Sequence, residues 1–201
     1  MTTLTILDYG SGNLHSLSKA AALAPARVRV VEDAAAAVRD TDLLILPGVG
    51  AFAAAAARLA GGGRDDLRSA IADGLPVLGI CLGMQLLFEE SEEGPGRGLG
   101  IIEGRVTRLR AARVPQIGWN TVDGAGDARF AALQYVYYAN GFVCRPLHTE
   151  CVTAWSTHDG DRFPAAVRTG SVVGVQFHPE KSSTEGVRFL SEVIVNAGAL
   201  R

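Results

Sequence analysis

Apolar runs alternate with stretches of helical period through the first half of the chain. LTILDYG (4–10) is a buried strand running into a glycine turn, and residues 13–23 repeat apolar positions at Leu14, Leu17 and Ala21. RVRVV (27–31) is a second strand, and Asp33 is placed to cap the helix after it. LLILPGVG (43–50) is a third strand ending in a Pro-Gly turn. Two alanine-rich helices follow, separated by Gly61-Gly62-Gly63, the second stopping at Gly74. PVLGIC (76–81) then predicts a strand, and LGMQLLFEE (82–90) a helix. Strands alternating with helices predict βαβ units, and near-continuous apolar strands such as LLIL predict burial on both faces of a parallel sheet.

Beyond SEEGPGRGLG (91–100), a polar glycine-rich loop, the pattern changes. IIEGRVTRL, WNTV, LQYVYYA, TECVTAW, PAAVRTG and SVVGVQF are strand-like with turns between, and a last helix covers about 184–198. The expectation is one α/β domain over residues 1–201. Its central sheet is largely parallel and flanked by helices. Mixed or antiparallel strands in the C-terminal half fold against the same sheet.

Composition narrows the classes. The chain has 201 residues, 48% hydrophobic and 20% charged, as in ordinary globular proteins. A net charge of −2 with no basic block argues against a nucleic-acid partner. No apolar stretch of about 18 residues predicts a membrane span, and the opening MTTLTILDYG lacks the pattern of a signal peptide. Three cysteines, Cys81, Cys144 and Cys151, fit a reducing compartment, so the cytoplasm is expected. Cys144 and Cys151 have no His or Cys at ligand spacing, so no metal or other cofactor is expected.

GICLGMQLLF (79–88) places Cys81 between Gly79 and Gly83, where a strand meets a helix. That is the form of a nucleophile elbow, in which side chains at the flanking positions would collide with the neighbouring elements. The helix end beyond it favours thiolate over thiol, and the Leu82 N–H would face a developing oxyanion. A buried structural cysteine fits the same pattern, and a nucleophile also needs a base and an orienter. GVQFHPEKSS (174–183) offers both: in an extended segment His178 and Glu180 would point to the same side. The LPGVG turn (46–50) ends a parallel strand. It would therefore face the elbow, where the Val49 or Gly50 N–H could complete an oxyanion hole.

GICLGMQLLF and GVQFHPE together resemble the two signatures of class I, triad-type glutamine amidotransferases, over essentially the whole chain. The resemblance implies that Cys81, His178 and Glu180 form a triad hydrolysing the side-chain amide of glutamine. It also implies that Gln85 contacts the α-amino and carboxylate end of the substrate. DYGSGNLHSL (8–17), PGVGAF (47–52), PQIGWN (115–120) and HPEKSS (178–183) resemble the glutaminase subunits of imidazole glycerol phosphate synthase. This implies a (β/α)8 synthase subunit as heterodimer partner, taking ammonia for histidine biosynthesis. Asn13, Trp119 and Asn120 would then lie near the partner and Tyr137 near the ammonia exit, although Trp119 and Tyr137 also suit plain packing and Asn13 a helix cap. Where such chains usually carry His-Ser/Thr-Tyr, this one has Asn140-Gly141-Phe142, a segment used there largely through its backbone to hold glutamine. The triad segments alone also suit glutaminases serving guanylate, anthranilate or pyridoxal phosphate synthesis, or a catalytically silent regulatory subunit.

Overall fold

A computed structural model describes residues 2–10, 14–60, 62–124, 130 and 132–200. The parallel half contains β1 (Thr2–Leu7), α1 (His15–Ala21), β2 (Ala26–Val31), α2 (Ala34–Ala37), β3 (Leu43–Leu46), α3 (Phe52–Leu59), α4 (Gly62–Ala72), β4 (Val77–Ile80) and α5 (Leu82–Gln85). Then come β5 (Glu90–Ser91), β6 (Gly104–Arg108), β7 (Gln116–Thr121), β8 (Tyr135–Asn140), β9 (Phe142–Pro146), β10 (Val152–His158), β11 (Asp161–Thr169), β12 (Val172–Val175) and α6 (Ser183–Val195).

The main sheet has seven strands in the order β10-β11-β12-β4-β3-β1-β2. From β12 through β2 every pairing is parallel, while β10 and β11 are joined antiparallel. Each central strand sends alternate residues into two cores. On β3, Leu43 and Ile45 pack with Leu17 of α1 and Phe189 and Leu190 of α6. Leu44 and Leu46 pack on the other face with Phe52 of α3, Leu67 of α4 and Met84 of α5. Burial on both faces is why β3 and β4 are apolar throughout. Edge strand β2 instead has no fully buried position and carries Arg27 and Arg29, which discourages pairing with another chain. Asp33 caps α2 as its sequence suggests, accepting the Ala36 N–H at 2.8 Å.

One expectation is corrected. The helix expected over 82–90 stops at Gln85. The next carbonyls are taken by a returning loop: Leu99 donates to Leu86 O at 2.7 Å, Ile101 to Leu87 O at 2.8 Å and Gly100 to Phe88 O at 3.1 Å. These bonds replace the helical ladder for residues that are buried on every side. The second half brings the expected mixed and antiparallel strands: β10 and β11 join the main sheet, β5-β6-β9 form a three-stranded sheet and β7-β8 a two-stranded ribbon. No described helix is long and apolar enough to cross a membrane.

Candidate active site

Cys81 sits directly after β4, at the carboxyl edge of the sheet, with φ 48° and ψ −103°. Residues other than glycine rarely enter that region, and doing so costs of order 1–3 kcal/mol. The strain is held from both sides: Cys81 N donates to Val175 O at 2.7 Å, and Gln85 N donates to Cys81 O at 3.1 Å. The flanking glycines are required by contact. A Cβ on Gly79 would stand 2.7 Å from Gly83 O, and one on Gly83 would run into the Leu46 carbonyl. The thiol is thus displayed at a fixed point while the residue stays 5% exposed.

His178 leaves the end of β12 with its N–H bonded to Tyr137 O at 2.9 Å. Its Nδ1 donates to Glu180 Oε1 at 2.8 Å, which leaves Nε2 available for chemistry. The two meet by a different route from the one their spacing suggests, because Pro179–Lys181 form a 3-10 turn rather than extended chain. Both side chains are nearly buried. Burial alone would lower the His178 pKa, but the Cys81 sulfur, by charge and hydrogen bond, and then Glu180 outweigh it and push it up to about 10.

The Pro47–Gly50 turn closes the other side. A Cβ on Gly48 would be 2.9 Å from Cys81 Cβ and 3.0 Å from His178 Cε1, so turn, thiol and imidazole converge on one point. The buried Tyr9 hydroxyl donates to the Pro47 carbonyl, which ties the DYG segment to this turn.

A pocket of about 220 Å3 opens here. It brings together Gly48, Val49, Gly50, Cys81, Leu82, Gln85, Asn140, Gly141, Phe142 and His178. Glu180 lies behind His178 and does not line it. Phe142 acts through its carbonyl, which accepts from Gln85 Nε2 and from Asn140 Nδ2, both at 3.1 Å. Asn140 is buried, and its Oδ1 has no hydrogen-bond partner among the described residues.

Glu93 and Lys181 also line the pocket, and sequence reasoning missed both. Glu93 accepts the Phe52 N–H at 2.8 Å, capping α3 from the glycine-rich loop. Only its place in a polar loop beside an uncapped helix start could have suggested that. Gln176, inside the quoted GVQFHPE, was also passed over. It is fully buried and donates Nε2 to Cys81 Sγ at 3.6 Å. A larger groove, about 890 Å3, lies at the opposite end of β4 and β12 beside Leu75 and Val172, and contains neither cysteine nor histidine.

The residues expected near a partner lie outside the pocket. Trp119 is 54% exposed on β7 and stacks edge-to-face on Tyr137, ring centroids 6.2 Å apart. Asn120 donates Nδ2 to Thr157 O at 2.9 Å, a bond to β10. Tyr137 is half-buried and holds the His178 segment through its backbone. Asn13 lies outside the described residues. Among the described residues no group of three His, Cys, Asp or Glu is placed to hold a metal ion.

Residues 5–197 match the family model for class-I glutamine amidotransferases. The chain is 43% identical over 198 residues to the imidazole glycerol phosphate synthase subunit HisH of Symbiobacterium thermophilum, covering 95% of this chain and 92% of that one. It is 37% identical over 203 residues to the HisH subunit of Trichodesmium erythraeum, covering 96% and 94%. Among solved structures, a crystal structure titled as a glutamine amidotransferase superposes with a TM-score of 0.76 at 23% identity, covering 97% of this chain and 98% of that chain. The PurLQS structure from Thermotoga maritima gives 0.77 at 19%, with the same coverage. At those identities the structures speak for the fold alone.

Proposed function

Because the chain belongs to the class-I glutamine amidotransferase family and, within it, to the HisH subunits of imidazole glycerol phosphate synthase, we propose that the Cys81 pocket hydrolyses glutamine to supply ammonia for histidine biosynthesis. One observation carries the reading: a strained, displayed thiol beside a buried histidine whose other nitrogen is fixed by a carboxylate.

Cys81 Sγ, as thiolate, attacks the side-chain amide carbon of glutamine. The carbonyl π pair moves to oxygen, and the Leu82 N–H and an N–H of the Val49-Gly50 turn receive the oxyanion. One such donor is typically worth ~3–4 kcal/mol in the transition state. The tetrahedral species collapses, the C–N bond breaks, and protonated His178 hands its Nε2 proton to the departing nitrogen, giving ammonia and a γ-glutamyl thioester. Neutral His178 then takes a proton from water as that water attacks the thioester. Collapse releases glutamate and regenerates the thiolate–imidazolium pair. Glu180 keeps the imidazole in register throughout.

The pocket's polar groups suit the rest of the substrate. The Glu93 carboxylate and the Lys181 ammonium complement an amino-acid zwitterion, and the unpartnered Asn140 Oδ1 can accept an N–H from bound glutamine. We read residues 1–201 as one glutaminase domain working in the cytoplasm, a reading supported by three cysteines that form no disulfide.

Ammonia released in neutral water is protonated and loses its nucleophilicity, so it is best handed over inside a closed passage. We place a (β/α)8 synthase subunit as the acceptor. The exposed apolar face of the β7-β8 ribbon, with Ile117, Trp119 and Tyr135, supports a partner on that side.

Replacing Cys81 by Ala should abolish glutamate release. Imidazole glycerol phosphate synthesis by the complex should persist when ammonium salt is supplied at alkaline pH. Glutaminase activity surviving in Cys81→Ala would overturn the mechanism.

A further inference from the structure

Gln176 is a fully buried side chain against the Cys81 sulfur that the triad does not use. It follows β12, and the strand ladder runs on past it: Gln176 N donates to Ala165 O at 2.9 Å, and Val175 O accepts from Cys81 N at 2.7 Å. Extended backbone sends residues i and i+2 to one side. The observed burial follows that rule, because Val173, Val175 and Phe177 face one core. A Cβ on Gly174 would instead touch Met84 and Leu87, on the other side. Past β12 the chain bends at Gln176 and Phe177, and both Gln176 and His178 reach Cys81.

A chain of hydrogen bonds fixes which end of the Gln176 amide meets the sulfur. Phe142 O is a backbone carbonyl and can only accept, so the Gln85 group 3.1 Å from it is Nε2. That nitrogen also donates to Gln176 at 3.4 Å, so the facing atom is Oε1. The opposite end, Nε2, then lies 3.6 Å from Cys81 Sγ as a donor. A thiol sulfur accepts weakly and a thiolate strongly, because a charged acceptor roughly doubles the strength of a hydrogen bond. Once the sulfur is acylated, its acceptor strength falls again.

We infer that Gln176 is a thiolate donor: its carboxamide N–H holds the Cys81 sulfur in the ionised, attack-ready form and couples it through Gln85 to the glutamine pocket. The inference rests on Cys81 being the nucleophile. The sulfur's other electrostatic neighbours are His178, whose charge acts in the same direction, and Tyr9, Tyr138 and Cys144. Those three are buried, and their pKa values are raised by desolvation first, so they stay neutral near pH 7 and set no negative charge against the sulfur. Gln176 supplies the one uncharged donor bond to the sulfur among the described residues.

The test is the pH dependence of Cys81 alkylation by iodoacetamide in the full chain, read by mass spectrometry. Gln176→Leu and Gln176→Glu should raise the midpoint by about one pH unit, roughly tenfold less thiolate at neutral pH, with the larger rise for the glutamate. Glutamine turnover in the folded variants should recover as pH is raised, which a merely structural loss would not do. An unchanged midpoint in either folded variant overturns the proposal.

A measurement on the unsubstituted chain guards against misfolding. The side-chain amide resonance of Gln176 should titrate with the alkylation midpoint, and one that stays still through that range also overturns the proposal. Alkylation reads the sulfur whether or not it is catalytic. Glutaminase activity in Cys81→Ala would therefore defeat the nucleophile assignment separately, without bearing on the midpoints.

Discussion

The two walls of the Cys81 pocket are built on opposite principles. The elbow, Gly79–Gly83, is fixed at every atom: both its peptide ends are hydrogen-bonded, its glycines are packed against backbone, and Cys81 is held at positive φ. The facing turn, Pro47–Gly50, is anchored at its first residue by Tyr9 and then runs outward to an exposed Gly50 at φ 115°. No other described residue hydrogen-bonds the backbone of Gly48, Val49 or Gly50. A nucleophile gains from rigidity, since its geometry must be ready before the substrate arrives. An oxyanion donor that is to respond to a distant partner gains from a backbone with two accessible orientations.

The sharpest break in that contrast is on the rigid wall. Gly83→Ala places a methyl against the Leu46 carbonyl, where α5 crosses the end of β3. Neither backbone can yield without dismantling the elbow, so overpacking should cost at least ~1–3 kcal/mol. Thermal unfolding should drop by about 2–4 °C per kcal/mol for a chain of this size, and glutaminase activity should vanish. A variant with unchanged melting and turnover would show that the elbow is not fixed.

Glu180→Gln tests the same wall more gently. The fold should persist, and the rate should fall by about 10^4, the order typical for loss of a triad's third member. The sign of the pH effect follows from the causes. Cys81 and Glu180 both hold His178 protonated, to about pH 10 in the native chain. As pH rises through that value the imidazolium that protonates ammonia is lost, so the rate declines on the alkaline side. Removing the Glu180 charge lowers the His178 pKa, and the decline should begin at lower pH. A pH-rate profile that coincides with the parent's would show that Glu180 does not hold the His178 proton.

The rigid wall was also the more legible one. Gly79, Cys81 and Gly83 announce the elbow because each glycine answers a steric demand visible in the strand-to-helix pattern, and the apolar runs of β3 and β4 announce the parallel sheet. The His178–Glu180 pair was legible in chemistry and misread in geometry, since Pro179 starts a 3-10 turn. Illegible features depended on distant partners. Residues 86–89 keep a helical pattern, but their carbonyls bond residues 98–102. Glu93 caps a helix 41 residues before it. Asn120 serves β10 through a carbonyl that no local pattern reveals.

The adjustable wall gives the smallest expected effect in the free chain and the most discriminating one. A valine at Gly50 would have to adopt φ near 115°, which costs of order 1–3 kcal/mol where the backbone stays put. Exposed and free of backbone bonds to described residues, the turn can relax into another orientation, so the measured loss should sit at the low end. Basal glutamine hydrolysis, already slow if one oxyanion donor faces away at rest, should change little. Addition of the synthase subunit and its nucleotide ligand should then separate the two chains. In the parent, a ligand that favours the donor-inward turn raises the rate by its differential affinity for the two states. In Gly50→Val the β-branched side chain penalises that peptide rotation, and stimulation should be lost while complex formation persists. Glutamate release is measured for the chain alone, with synthase, and with synthase plus ligand. Equal rates under all three conditions in the parent would mean that the turn is as rigid as the elbow it faces.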